Sequence, residues 1–192
     1  MTRQDLPAVP DLPTTAYALL GLLTLGDDLT GYELKRRADN TLRFYWSSPA
    51  MSQVYTELAR LAEHGLVAVR EDETAPVRRT RRYRITATGR RDLARWLGQV
   101  ETDFPLLKHP IALRLLLGHL IEPDQTKAML ERYLDSLARR RQDLQTVRDS
   151  LGEEGDPERA LYRYPRMVAD WGLEYYESER VMVTELISRL DG

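Results

Sequence analysis

The chain has 192 residues, 42% of them apolar and 30% charged, enough for one or two domains with a buried core. It contains no cysteine, which excludes disulfides, thiolate metal sites and a cysteine nucleophile. The net charge of −2 averages two unlike halves: residues 1–100 carry 15 Lys+Arg against 12 Asp+Glu, whereas residues 101–192 carry 13 against 18. A basic half joined to an acidic one implies that only the first approaches an anionic partner.

Residues 1–13 hold three prolines and little periodicity, and read as an extended or flexible N-terminal arm. They lack the charged-then-apolar pattern of a signal peptide. The longest apolar run, Ala16 to Leu23, is too short to span a bilayer. The expectation is a cytoplasmic protein with no membrane partner.

Thr14 or Thr15 is placed to cap a first helix, with Ala16, Leu19, Leu20, Leu22 and Leu23 on its buried face and Gly26-Asp27-Asp28 ending it. Thr30 to Glu33 has capping-box spacing, so a second helix is expected from Gly31 to about Asn40. Ser48-Pro49 reads as N-cap plus first helical position of a third helix. Met51, Val54, Leu58 and Leu61 recur at helical spacing and mark its buried stripe. His64-Gly65 closes it, glycine supplying the left-handed conformation past a helix end.

A short strand, Leu66 to Val69, a polar turn, Glu71 to Pro76, and an alternating strand, Arg81 to Thr86, come next. Tyr83 and Ile85 fall on one face of that second strand, Arg82 and Arg84 on the other. Thr86 or Thr88 caps a fourth helix through about Gln99, with Leu93, Trp96 and Leu97 on its apolar face.

Pro105 and Pro110 bracket a domain boundary, beyond which only helices are expected: Ile111 to Leu120, Asp124 to Leu151, and a last one from Asp156-Pro157 to Leu190. Pro165 and Gly172 predict a kink or a late start in the last helix. Leu130, Leu137, Leu144 and Leu151 fall seven apart, partly coiled-coil-like, with Tyr133 and Val147 as companions and Arg140 breaking the second seam. The last helix is apolar around much of its circumference, which points to partners on several sides and to a homodimer.

Helix, helix, strand, basic turn, strand is the order of a winged helix-turn-helix, whose second helix reads the major groove. The outward set of the third helix is Ser48, Ala50, Ser52, Gln53, Thr56 and Arg60, with Tyr55 at the border of the buried stripe. Glutamine pairs with adenine, and serine or threonine bonds phosphate or base edges. Between Arg78 and Arg91 stand seven arginines and no acid. Arg78, Arg79, Arg82 and Arg84 are the wing's candidate DNA contacts, and Lys35 and Arg36, with Arg37 beside them, are candidates on the second helix. The alternative is a winged helix that binds protein and no DNA, against which the one-signed arginine cluster argues.

No Gly-rich phosphate loop, HExxH or GxSxG is present, and no carboxylates form a recognisable acid–base pair, so no enzyme and no cofactor is expected. His64 suits a helix C-terminus. His109 and His119 stand ten apart and make no metal site. Trp96, Trp171 and Tyr175, with Tyr162, Tyr164 and Tyr176, are candidates to line a pocket for a planar effector.

The chain resembles the PadR-like family of bacterial transcriptional regulators. The resemblance rests on residues 18–23 (ALLGLL), 30–34 (TGYEL), 52–58 (SQVYTEL), Leu61, 65–67 (GLV), and 81–86 (RRYRIT) leading to Thr88-Gly89. It covers roughly residues 14–99. The fold it implies is mainly α: an N-terminal winged helix-turn-helix with a two-stranded wing over 14–100, plus an all-helical C-terminal dimerisation domain over 105–192. The implied function is a homodimeric repressor that binds double-stranded DNA at an inverted repeat and answers to a small, often aromatic effector. The family's tyrosine falls on Tyr55. Many members carry Gly-Ser/Thr ahead of the apolar-Tyr pair, where this chain has Ser52-Gln53.

Overall fold

The computed structural model describes residues 12–26, 28–72, 80–102, 104, 108–152 and 157–190. The expected N-terminal arm falls almost wholly outside them, as do Arg78 and Arg79. Two compact units divide between residues 103 and 104.

In the first unit, helix α1 (Thr14–Leu22) starts on Pro13 as N-cap, without a side-chain cap. The Thr14 or Thr15 cap is therefore a correction. Proline already holds the extended φ of −65° that the position needs, and its carbonyl accepts from the Ala16 N–H at 2.8 Å. Ala16, Tyr17, Leu19, Leu20, Leu22 and Leu23 are all buried, so α1 is the central helix of this core. It also ends earlier than Gly26, where Thr24 donates to the Gly21 carbonyl at 2.9 Å.

Strand β1 (Leu29–Thr30) leads into helix α2 (Gly31–Thr41). The expected capping box is formed: the Glu33 N–H donates to Thr30 Oγ at 3.1 Å, and the Glu33 carboxylate accepts from the Thr30 N–H at 2.8 Å. Helix α3 (Met51–Glu63) follows. Its end is a Schellman motif, with the Leu66 N–H on the Leu61 carbonyl and the Gly65 N–H on the Ala62 carbonyl, both at 2.9 Å. Gly65 has φ +67°, a left-handed conformation that a side chain resists.

Strands β2 (Val67–Asp72) and β3 (Thr80–Ile85) pair antiparallel, Val67 opposite Ile85 and Arg70 opposite Arg82. The wing has a third strand that the expected two-stranded form lacked: β1 pairs with β3, Leu29 opposite Tyr83 and Thr30 opposite Arg82, in the order β1-β3-β2. Thr86 caps helix α4 (Ala87–Gln99), accepting from the Gly89 N–H at 3.0 Å. Leu93 is buried, whereas Leu97 is exposed rather than part of the apolar face. Val54, Leu58, Leu61, Leu66, Val67, Tyr83 and Ile85 complete a single core around α1.

The second unit is helical. His109 caps α5 (Pro110–Leu116), its Nδ1 accepting from the Ala112 N–H at 3.1 Å. A short 3₁₀ turn, Gly118–Leu120, follows. Helix α6 (Pro123–Ser150) opens with a box between Glu122 and Gln125. The last helix takes the late start: a 3₁₀ turn over Pro157–Tyr162 precedes α7 (Arg163–Leu190), which leaves Pro165 in the first turn, and Gly172 does not break it. Each long helix has 28 residues, so α6 and α7 each run for about 42 Å.

Leu130, Leu137 and Leu144 are buried at the seven-residue spacing, and α7 turns Ala169, Tyr176 and Val183 inward. Arg166, also buried, donates to the Leu151 carbonyl at 3.2 Å and so satisfies the end of α6. Among the described residues no helix is long and apolar enough to cross a membrane, and no cluster of His, Asp and Glu is suited to a metal ion.

Candidate nucleic-acid interface

The N-terminal half of α3 presents Ala50, Ser52, Gln53 and Thr56 to solvent, opposite the buried Val54, Leu58 and Leu61. Threonine side chains cap α2 and α4, but no side chain caps α3. Its first N–H groups are left without an intrahelical or capping partner, and with the helix dipole they favour an anion.

Ser48 is not the N-cap. Ala50 takes that position, and the Ser48 hydroxyl donates instead to Asp39 at 2.5 Å. The serine side chain is turned to the Asp39 carboxylate in a charge-assisted hydrogen bond rather than to the helix N–H groups, and α3 begins later than its sequence signal. Lys35 is bound to the same Asp39 carboxylate. The Lys35 ammonium, then the Ser48 hydroxyl, hold the Asp39 carboxyl below the usual carboxylate range.

Tyr55 is half exposed, 49%, and its ring lies against the start of α2. A Cβ at Gly31 would stand 2.5 Å from that ring, so the glycine of the Thr30-Gly31-Tyr32-Glu33 segment is demanded by Tyr55 across the helix pair. The Thr56 hydroxyl donates to the Ser52 carbonyl on its own helix. Arg60 pairs at 2.9 Å with Glu57, a carboxylate only 5% exposed that sequence periodicity does not flag.

On the sheet, Tyr83 and Ile85 enter the core, and Arg82 and Arg84 take the opposite face. Both arginines are held by acids. Arg84 pairs with the Asp28 carboxylate. Arg82 donates to the Asp28 carbonyl at 2.9 Å and lies 3.5 Å from the Glu33 carboxylate. Glu33 is held below its ordinary range, first by the Thr30 N–H and hydroxyl and then by Arg82 and Arg36. Arg36 is exposed, whereas Arg37 donates to the Leu22 carbonyl at 3.1 Å and serves the end of α1.

The candidate effector aromatics have separate surroundings. Trp96 stacks on Tyr17, ring centroids 4.7 Å apart and planes 9° from parallel. Burial, then a hydrogen bond to Asp92, pushes the Tyr17 hydroxyl up to about 12. On α7, Trp171 is 73% exposed, and Tyr175 is exposed beside Tyr176.

One polar cluster is not visible in the sequence. His109 Nε2 lies 2.7 Å from the buried Glu179 carboxylate, and the Tyr133 hydroxyl is 3.2 Å from both. Because Nδ1 accepts from the α5 backbone, the neutral ring carries its proton on Nε2 and donates it to Glu179. Burial, then the Glu179 charge, holds the Tyr133 hydroxyl well above the ordinary tyrosine range.

Residues 19–95 match the transcriptional regulator PadR-like family, and residues 107–191 match the virulence activator alpha C-terminal region. The negative transcriptional regulator PadR of Bacillus subtilis is 25% identical over 141 residues, 73% of this chain and 76% of that protein. The crystal structure of Bacillus subtilis PadR in complex with operator DNA aligns with a TM-score of 0.79 at 22% identity, over 93% of this chain and 99% of that one. The same regulator in complex with p-coumaric acid aligns with a TM-score of 0.73 at 22% identity, over 94% of this chain and 100% of that one.

Proposed function

The chain belongs to the PadR-like family of transcriptional regulators, and on that premise we propose that it is a homodimeric repressor whose residues 14–100 bind operator DNA and whose residues 105–192 pair the subunits. The observation that carries the reading is α3. It offers an uncapped N-terminus and an exposed Ser52, Gln53, Tyr55 and Thr56, beside a sheet whose outer face bears arginine. Gln53 and Ser52 are assigned to base edges, Tyr55, Thr56, Lys35, Arg36 and Arg60 to the backbone, and Arg82 and Arg84, with Arg78 and Arg79, to phosphates flanking the groove. Family membership makes a regulator of transcription, not an enzyme, the premise here.

Pairing is supported by the apolar residues the second unit leaves exposed: Leu113, Leu116, Leu117, Leu120 and Ile121 around α5, and Met167, Trp171 and Met182 on α7. Two copies related by a twofold axis read an inverted repeat, with half-sites about 34 Å apart or a multiple of it. Release is assigned to a small planar carboxylic acid or phenol, in keeping with the relative solved with p-coumaric acid. Trp171 and Tyr175 are the better-placed aromatic contacts, since Trp96 already has Tyr17 as its stacking partner.

The test is a binding assay on duplexes from the promoter region beside the gene, against random sequence, over a range of salt. Specific binding to one inverted repeat is expected, with Arg82→Ala/Arg84→Ala weakening all duplexes and flattening the salt dependence. Gln53→Ala should shift base preference by about 1–3 kcal/mol at one position of each half-site. Equal, salt-insensitive affinity for every duplex would exclude the reading.

A further inference from the structure

The register of the sheet places Arg70 directly opposite Arg82, so both share the outer face with Arg84. Like charges directly opposite across a ladder repel. Asp28, one residue before β1, answers two of the three: its carboxylate binds Arg84 and its backbone carbonyl accepts from Arg82. The Asp28 side chain is only 13% exposed, while that of Arg84 is 68% exposed. The acid thus lies beneath a guanidinium that faces solvent.

We propose that Asp28 is a positioning residue for DNA binding, a built-in stand-in for a backbone phosphate that holds Arg84 on the outer face of the sheet and competes with DNA for it. The inference rests on the DNA-binding reading of that face. Carboxylate and phosphate both bind guanidinium through charge-assisted, often bidentate hydrogen bonds, so they contend for the same donors. An arginine shared with a carboxylate releases fewer ions from the duplex than a bare arginine, which adds about one to the count. Asp28 therefore lowers affinity for DNA in general, and leaves the sequence-reading residues of α3 to set the margin between operator and other DNA.

Asp28→Asn removes the charge and keeps both the shape and the carbonyl that Arg82 uses. In the full-length protein it should bind a labelled random-sequence duplex about 2–5-fold more tightly at low salt. The slope of log affinity against log salt should steepen by up to about one, and the gain should vanish in an Arg84→Ala background. Asp28→Ala, which keeps the same carbonyl, must show the same gain and guards against an effect peculiar to the amide. A purely structural role would move the melting temperature without steepening the salt slope. Unchanged or weaker binding by both variants, with wild-type circular dichroism, overturns the assignment and leaves the DNA reading intact. If the wild-type protein itself shows no salt-dependent binding to duplex, the DNA reading falls and this assignment falls with it.

Discussion

The two units differ in what they leave at their surfaces. In the first, the exposed large hydrophobic residues are Tyr32, Tyr45, Trp46, Tyr55, Val69, Leu97 and Val100, mostly aromatics with a polar end. In the second, they include Leu113, Leu116, Leu117, Leu120, Ile121, Met167 and Met182, which have none. The interiors show the reverse. One continuous core surrounds α1, whereas the α6–α7 pair buries a thin seam of Leu130, Leu137, Leu144, Ala169, Tyr176 and Val183. Two antiparallel helices have a single face to give each other, so apolar residues on their remaining faces need another surface. The first unit satisfies its core alone and offers polar groups outward; the second leaves surplus apolar area exposed, the area the proposed pairing would cover.

The sharpest way to break this contrast is to place charge in the surplus. Leu116→Asp with Leu120→Asp alters two side chains that are 74% and 72% exposed in the single chain. The first unit should melt as before, while self-association weakens by about 1000-fold, roughly 4 kcal/mol, read by sedimentation equilibrium. A dimer of unchanged affinity would move the pairing surface elsewhere. Leu58→Ala is the counterpart in the first unit. Its side chain is fully buried, so the cavity should cost about 2–5 kcal/mol of stability in denaturant unfolding, with the helical unit unaffected. A loss below about 1 kcal/mol would mean that the core around α1 relaxes more than its packing implies.

The sequence makes legible those features of both units that are set locally. Thr30-Glu33, Thr86-Gly89 and His64-Gly65 settle helix ends within four residues, and all three appear in the structure. The alternation from Tyr83 to Ile85 settles which strand face is buried. Features set by tertiary partners are illegible. Two residues of β1 carry no periodicity and become a strand only because β3 lies beside them. Ser48-Pro49 has the signature of a helix start, but Asp39, nine residues earlier, takes the serine. The arginine-rich face is visible, but Asp28, which holds both Arg82 and Arg84, lies 54 and 56 residues away from them, and the opposition of Arg70 to Arg82 depends on register. The His109–Tyr133–Glu179 cluster joins the cap of α5 to both long helices, across separations that no motif spans.

The smallest expected effect lies in the caps, where the two units again differ in kind. Both use a capping box, but the reciprocal side chain is Glu33 in the first and Gln125, an amide with no proton to gain, in the second. Thr30→Ala removes the hydroxyl that accepts from Glu33 and should cost about 1 kcal/mol. The Glu33 carboxyl lies below its ordinary 4.5 in the folded chain. A group depressed in this way contributes stability that is present above its unfolded value and is lost as pH falls through the folded one. The melting difference between wild type and Glu33→Gln should therefore hold at neutral pH and close on acidification below about 4.5, where wild type has also lost the charge. Glu33 is partly exposed, so the gap is modest, a degree or a few in melting temperature. Gln125→Ala in the second unit should show a gap of similar size with no such closure. If the Glu33→Gln gap persists unchanged into acid, the cap works through shape and neutral hydrogen bonding, and the charge that links α2 to Arg82 has no part in holding the first unit together.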